Sequence, residues 1–185
     1  MKRTKLAARY AKALFDYTIE TNKLEDVFSD VNLIDKTFDD NSELRLIINS
    51  PVVRTDKKIA IIKELFQNQV CEISLSYFIL ILKKGREIQI DTICNEFVKL
   101  YKLHKNIVTL DITSAEVLSE DSIDKIVNKV KSYINANIEV NQHINPTLIG
   151  GYRLAFNDYY FDASVKGHLD KLRKELIDKS YQINF

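Results

Sequence analysis

The stretch IDTICNEFVKLYKLHKNIVTLDITS, Ile90 to Ser114, holds two apolar rhythms. Ile90, Ile93, Cys94, Phe97, Leu100, Tyr101 and His104 recur every three or four residues, the spacing of one helix face. Beyond Lys105, Val108, Leu110 and Ile112 alternate with Thr109, Asp111 and Thr113, the spacing of a half-buried strand. The change of period divides the chain near residue 105.

Upstream, the helical period continues back to the N-terminus. Leu6, Tyr10, Leu14 and Tyr17 stripe a first helix, and Leu24, Val27, Phe28, Val31, Ile34 and Phe38 a second. A short third helix holds Leu44, Ile47 and Ile48 and stops at Ser50-Pro51, where proline restricts the residue before it. Thr55 is the expected N-cap of a fourth helix carrying Ile59, Ile62, Leu65 and Phe66. A fifth, dense in apolar residues, runs from Cys71 to Lys84 and ends on Gly85 as a left-handed glycine cap. With no Gly or Pro between His104 and Asn106, the sixth helix is expected to run straight into the next domain.

Downstream, Ser119 reads as the cap of a helix bearing Ile123, Ile126, Val127, Val130, Tyr133 and Ile134. Ile138 to Ile144 and Tyr152 to Phe156 alternate as strands, Asn157-Asp158 is a turn, and Tyr159 to Phe161 returns as a fourth strand. The last helix puts Val165, Leu169, Leu172 and Leu176 on one face and charge on the other. The expected fold is mainly α: a six-helix bundle over residues 1–105, then a small α+β domain over 106–185.

Composition narrows the function. The 185 residues are 45% hydrophobic and 29% charged, with a formal net charge of +1, too little positive excess for a general nucleic-acid coat. Residues 1–105 balance to +3 and residues 106–185 to −2. The longest apolar run, Tyr77 to Leu82, is far short of the ~18–20 residues of a membrane span. Cys71 and Cys94 are too far apart for a CxxC pair and read as buried free thiols of a reducing compartment. The N-terminus is basic and amphipathic, as in some organelle transit peptides, but Arg9, Lys12 and Asp16 break any signal-peptide core.

Catalytic chemistry is thinly supplied. His104, His143 and His168 lie in three elements without metal-ligand spacing, and His104 continues an apolar stripe as a packing histidine. Gly150-Gly151 leads into a strand rather than a helix, so it reads as a tight turn and not a phosphate cradle. Lys83-Lys84-Gly85-Arg86 reads as a basic helix C-terminus favoured by the dipole. No catalytic residue, cofactor or metal ligand is expected.

The first and fifth helices are over-supplied with apolar residues. Beside its Leu6–Tyr10–Leu14–Tyr17 stripe, the first carries Ala7–Ala11–Phe15–Ile19 on another side. Either both sides are buried in the bundle, or one faces a partner's helix, with Ala7, Ala8, Ala11 and Ala13 allowing close approach. Leu75, Tyr77, Phe78, Ile79, Leu80, Ile81 and Leu82 of the fifth cannot all face one core. Two such helices point to a groove for an amphipathic helix.

ARYAKALF (Ala8 to Phe15) resembles the opening signature of the delta subunit family of the F-type ATP synthase, whose mitochondrial counterpart is the oligomycin sensitivity conferral protein. Ser50-Pro51-Val52-Val53, Lys57-Lys58-Ile59, Leu65-Phe66 and Leu82-Lys83-Lys84-Gly85-Arg86 resemble its middle segment. The most specific stretches are NPTLIGGY (Asn145 to Tyr152) and FDASVKGHL (Phe161 to Leu169). Asn157 and Ala163 stand where the family usually has glycine; Asn tolerates a left-handed turn, Ala less so.

The resemblance implies a non-catalytic stator connector. The bundle would hold the N-terminal helix of an alpha subunit between its first and fifth helices, with Tyr10, Ala13 and Leu80 as groove residues and Phe15 in the core. The C-terminal domain would bind the b-type subunits of the peripheral stalk, through the helix bearing Val165, Leu169, Leu172 and Leu176. The alternative for that stripe is that it covers the small sheet and leaves only the charged face to the stalk. No nucleic acid is expected as a partner, and membrane association only through the complex, on the cytoplasmic face of a bacterial inner membrane. The competing classes are a generic helical adaptor and an RNA-binding bundle using Lys2, Arg3, Lys5, Arg9 and Lys12.

Overall fold

The computed structural model describes residues 2–134 and 136–182. The side chains of Lys2 and Arg3, two of the basic residues named above, lie outside the described residues. The chain divides into two compact units, Met1–His104 and Lys105–Phe185.

The first unit is built from α1 (Lys2–Glu20), α2 (Leu24–Asp40), α3 (Ser42–Asn49), α4 (Thr55–Phe66), α5 (Glu72–Lys83) and α6 (Ile90–His104). A single 3-10 turn, Glu87–Gln89, leads into α6 and was not expected from the apolar period. α1 packs mainly along α6. Ala7 and Ala11 are fully buried, so two of the four alanines assigned to a partner's approach instead let α6 come close. Phe15 meets Phe97 edge-on with ring centroids 6.1 Å apart, a core placement as expected. Val27, Val31, Ile34 and Phe38 bury the inner face of α2, and Phe28 stacks on Tyr101 at 3.7 Å. Lys58 of α4 is buried, its charge met by Glu87 at 2.6 Å across to the 3-10 turn.

Helix ends follow backbone chemistry with two corrections, at the start of α4 and the end of α6. The α5 end is as expected: Gly85 has φ +64, its N–H bonds to the Leu82 carbonyl and the Arg86 N–H to that of Ile81, a Schellman cap. Thr55 is not the N-cap of α4; Arg54 takes that place and Thr55 is already helical. α6 does not run on into the second unit. It stops at His104, Asn106 turns the backbone at φ +53, and β1 starts at Ile107. His104 is exposed rather than packed away, touching only the edge of Phe15 at 5.6 Å among the ring contacts described. Cys94 is buried, but Cys71 is only half-buried.

The second unit runs β1 (Ile107–Ser114), α7 (Glu120–Lys131), β2 (Asn137–Ile144), β3 (Gly151–Phe156), β4 (Tyr159–Ser164) and α8 (Val165–Gln182). The sheet order is β2-β1-β3-β4. β1 and β2 are parallel, which the intervening α7 permits, and the other pairs are antiparallel. Leu110, Ile112 and Leu154 face Ile126 and Val130 of α7 to form a small core. Ser119 holds the N-cap position, its hydroxyl paired with Ser122 at 2.9 Å. Asn157 takes the β3–β4 turn at φ +48. Ala163 is not among the described residues of positive φ and lies in extended β4, so alanine there costs no left-handed backbone.

Candidate functional site

α1 and α5 flank an open groove of about 770 Å³. Its walls are Tyr10, Ala13, Leu14 and Tyr17 from α1, and Glu72, Ile73, Ser76, Tyr77 and Leu80 from α5. The sequence-expected trio Tyr10, Ala13 and Leu80 therefore lines one concavity. The two stripes of α1 separate as a helix must separate them: Ala7–Ala11–Phe15 turns to the core, while Tyr10 and Tyr17 turn to the groove. Tyr17 is 51% exposed and Leu80 44%, large apolar surfaces at a helix pair.

Two polar groups, the Tyr77 hydroxyl and the Asp30 carboxylate, were not singled out from the sequence. Tyr77 buries its phenol oxygen with no hydrogen-bond partner among the described residues. Burial first, then Cys94 and Tyr10, pushes its pKa well above the usual tyrosine range, so it stays a neutral hydroxyl. Asp30, buried on α2, accepts from the Cys71 backbone N–H at 2.9 Å and from the Ser74 hydroxyl at 2.7 Å. A carboxylate on one helix thus caps the start of another, and α5 is held from its far side. The readable signal was an acid inside the Val27–Val31–Ile34 stripe.

In the second unit, α8 contradicts the sheet-covering alternative. Val165, Leu169, Leu172 and Leu176 are 44%, 52%, 47% and 70% exposed, so the stripe lies open. α8 packs on β4 and on the Pro146–Leu148 turn. A second apolar hollow, of about 290 Å³, lies between α7 and the sheet, lined by Ile126, Val130, Tyr133, Leu154, Phe156 and Phe161 among others. Among the described residues, no three His, Cys, Asp or Glu side chains are grouped to hold a metal ion, and no helix is long and apolar enough to cross a membrane.

A profile of the family described as ATP synthase delta (OSCP) subunit matches residues 6–176. This chain belongs to that family. It is 30% identical over 179 residues to the ATP synthase subunit delta of Cytophaga hutchinsonii, covering 97% of this chain and 98% of that one. To the delta subunit of Rickettsia bellii it is 29% identical over 177 residues, covering 95% and 94%. A chain of the Toxoplasma gondii mitochondrial ATP synthase hexamer shares the fold, with a TM-score of 0.76, 20% identity and coverage of 93% and 97%. The chain is a non-catalytic delta/OSCP subunit, a stator component of the F-type ATP synthase, serving ATP synthesis and proton transport.

Proposed function

We propose that this subunit ties the alpha/beta catalytic head to the b-type peripheral stalk, so that the head does not turn with the rotor. The N-terminal helix of an alpha subunit lies in the α1/α5 groove against Tyr10, Ala13 and Leu80. The stalk meets the second unit along Val165, Leu169, Leu172 and Leu176. The observation that carries this reading is the groove, which offers largely apolar walls on two helices of the first unit. Three or four anchors at ~1.5–3 kcal/mol each give a gross ~5–10 kcal/mol, from which the cost of association is subtracted. The bacterial delta subunits among its relatives support a setting on the cytoplasmic face of a bacterial membrane, reached only through the complex.

The test is recovery of the head. The tagged chain is used to capture proteins from membranes of its own source at moderate salt. An alpha/beta-containing ATPase is expected, lost when residues 1–105 are deleted. Ala13→Asp is expected to weaken head binding at least tenfold, about 1.4 kcal/mol, with helicity unchanged because Ala13 is exposed. Loss of helicity would make Ala13 a packing residue, and RNA in the eluate, released steeply by salt, would replace the connector reading.

A further inference from the structure

We propose that Asp162 is a positioning residue that sets the direction in which α8 leaves the sheet. This rests on the reading that α8 faces the stalk. The described residues of α8 beyond its first turn are exposed, so among them little holds the helix to the sheet. Its direction is therefore decided where it begins.

That beginning is a polar knot within FDASVKGHL. Asp162 of β4 stands opposite Arg153 of β3 in register, and Arg153 Nε donates to Asp162 Oδ2 at 2.9 Å. Asp162 Oδ1 accepts from both the Ser164 N–H at 2.9 Å and the Ser164 hydroxyl at 2.6 Å. Ser164 Oγ in turn accepts from the Gly167 N–H at 3.0 Å, which is an N-cap on the third residue of α8. The carboxylate also lies against Gly167 itself. A Cβ there would sit 2.7 Å from Oδ2, 2.8 Å from Cγ and 2.9 Å from Oδ1. Glycine in a helix is unfavourable relative to alanine, and this contact explains its place in the first turn. One carboxylate thereby fixes the strand pair, the cap and the closest approach of the helix backbone. The Val165 N–H, bonded to the Gly150 carbonyl at 2.9 Å, adds a second tether beside it.

The test measures direction and binding separately in the full chain. Spin labels are placed on cysteines introduced at the exposed Lys125 of α7 and Lys171 of α8, in a Cys71→Ser/Cys94→Ala background, and distances are read by pulsed electron resonance. A narrow distribution is expected for the parent. Asp162→Ala and Gly167→Ala should each broaden or shift it with helix content retained. The Asp162→Ala/Gly167→Ala pair should be no broader than Asp162→Ala, because the added Cβ then has no carboxylate to displace. Affinity for the purified b-type stalk subunit should fall at least tenfold in both single variants. A narrow, unshifted distribution in Asp162→Ala overturns the proposal. If that variant loses helix content, Gly167→Ala, which keeps every hydrogen-bonding group, decides it by the same criterion. If Leu172→Asp leaves stalk affinity unchanged, the stalk reading fails, while the role of Asp162 is still judged on the distances.

Discussion

Asp30 looks misplaced on the buried face of α2, yet its carboxylate holds the first turn of α5 through Cys71 and Ser74. Asp30→Ala strips both donors of this acceptor inside the bundle. An unsatisfied buried donor costs about 1–3 kcal/mol, so the urea midpoint should fall by that equivalent at constant m-value. Asp35, on the same helix, is a different case. Burial, then Asp39 and Asp91, hold its pKa above 3.8 against the lowering effect of Arg45. A carboxyl with a raised folded pKa binds protons more tightly in the native state, so it weakens the fold above that pKa and not below the unfolded value. Asp35→Asn should therefore raise stability at pH 7, with the gain fading as pH falls toward 3.8. Asp162 has the opposite sign, because the Ser164 hydroxyl and N–H and then Arg153 pull its pKa below 3.8 despite partial desolvation. Its contribution is present at pH 7 and lost as pH falls through its folded pKa, so the deficit of Asp162→Asn should shrink there. Urea titrations at pH 7 and below pH 4 check both signs.

At the scale of elements, glycines mark where a helix or strand must turn, and they differ in cost. Gly85 has φ +64 but open space around a would-be Cβ, so Gly85→Ala should cost only the left-handed backbone, about 1–2 kcal/mol. Gly151 has φ +74 and would place a Cβ 2.3 Å from the Ala163 carbonyl oxygen, so Gly151→Ala must also push β3 from β4. Thermal unfolding should show the second variant clearly less stable than the first. The end of α5 was readable because Gly85 carries its backbone geometry in its identity, and the β3–β4 turn because the Asn157-Asp158 pair stands between two alternating runs. The 3-10 turn at Glu87–Gln89 was not, because three residues are too few to display a period. The stop of α6 was missed for a related reason: Asn106 can adopt a left-handed backbone but does not demand it. The four alanines of α1 gave the right helix and an incomplete assignment of faces. Small side chains suit close approach by any helix, and the sequence does not say that α6 takes Ala7 and Ala11 while Ala13 remains outside.

At the scale of the whole molecule, the division near residue 105 was legible because the change of apolar period coincides with the break between the compact units. The pairing of β1 with β2 in parallel was not, since alternation names a strand's face and not its neighbour. A concavity between α1 and α5 was foreshadowed by their surplus of apolar residues, whereas the choice of Tyr10, Ala13 and Leu80 along it came from the family resemblance. The open stripe of α8 was ambiguous, because one apolar face serves equally to cover a sheet or to meet a partner. The proposed connector role, divided between two units, makes a separable prediction. Leu80→Asp places a charge in the groove of the first unit, and Leu172→Asp places one on the stripe of the second. The two positions share no element, so their effects should be independent. Leu80→Asp should weaken head binding at least tenfold and leave stalk affinity within about twofold, and Leu172→Asp should do the reverse. In reconstituted membranes each variant alone should leave ATP hydrolysis running while ATP-driven proton pumping falls, because the proposed function puts both contacts in series under torque. Pumping that survives either substitution at full hydrolysis would mean that the altered contact carries no torque. Loss of both affinities from one substitution would show that the units do not act as separate bodies.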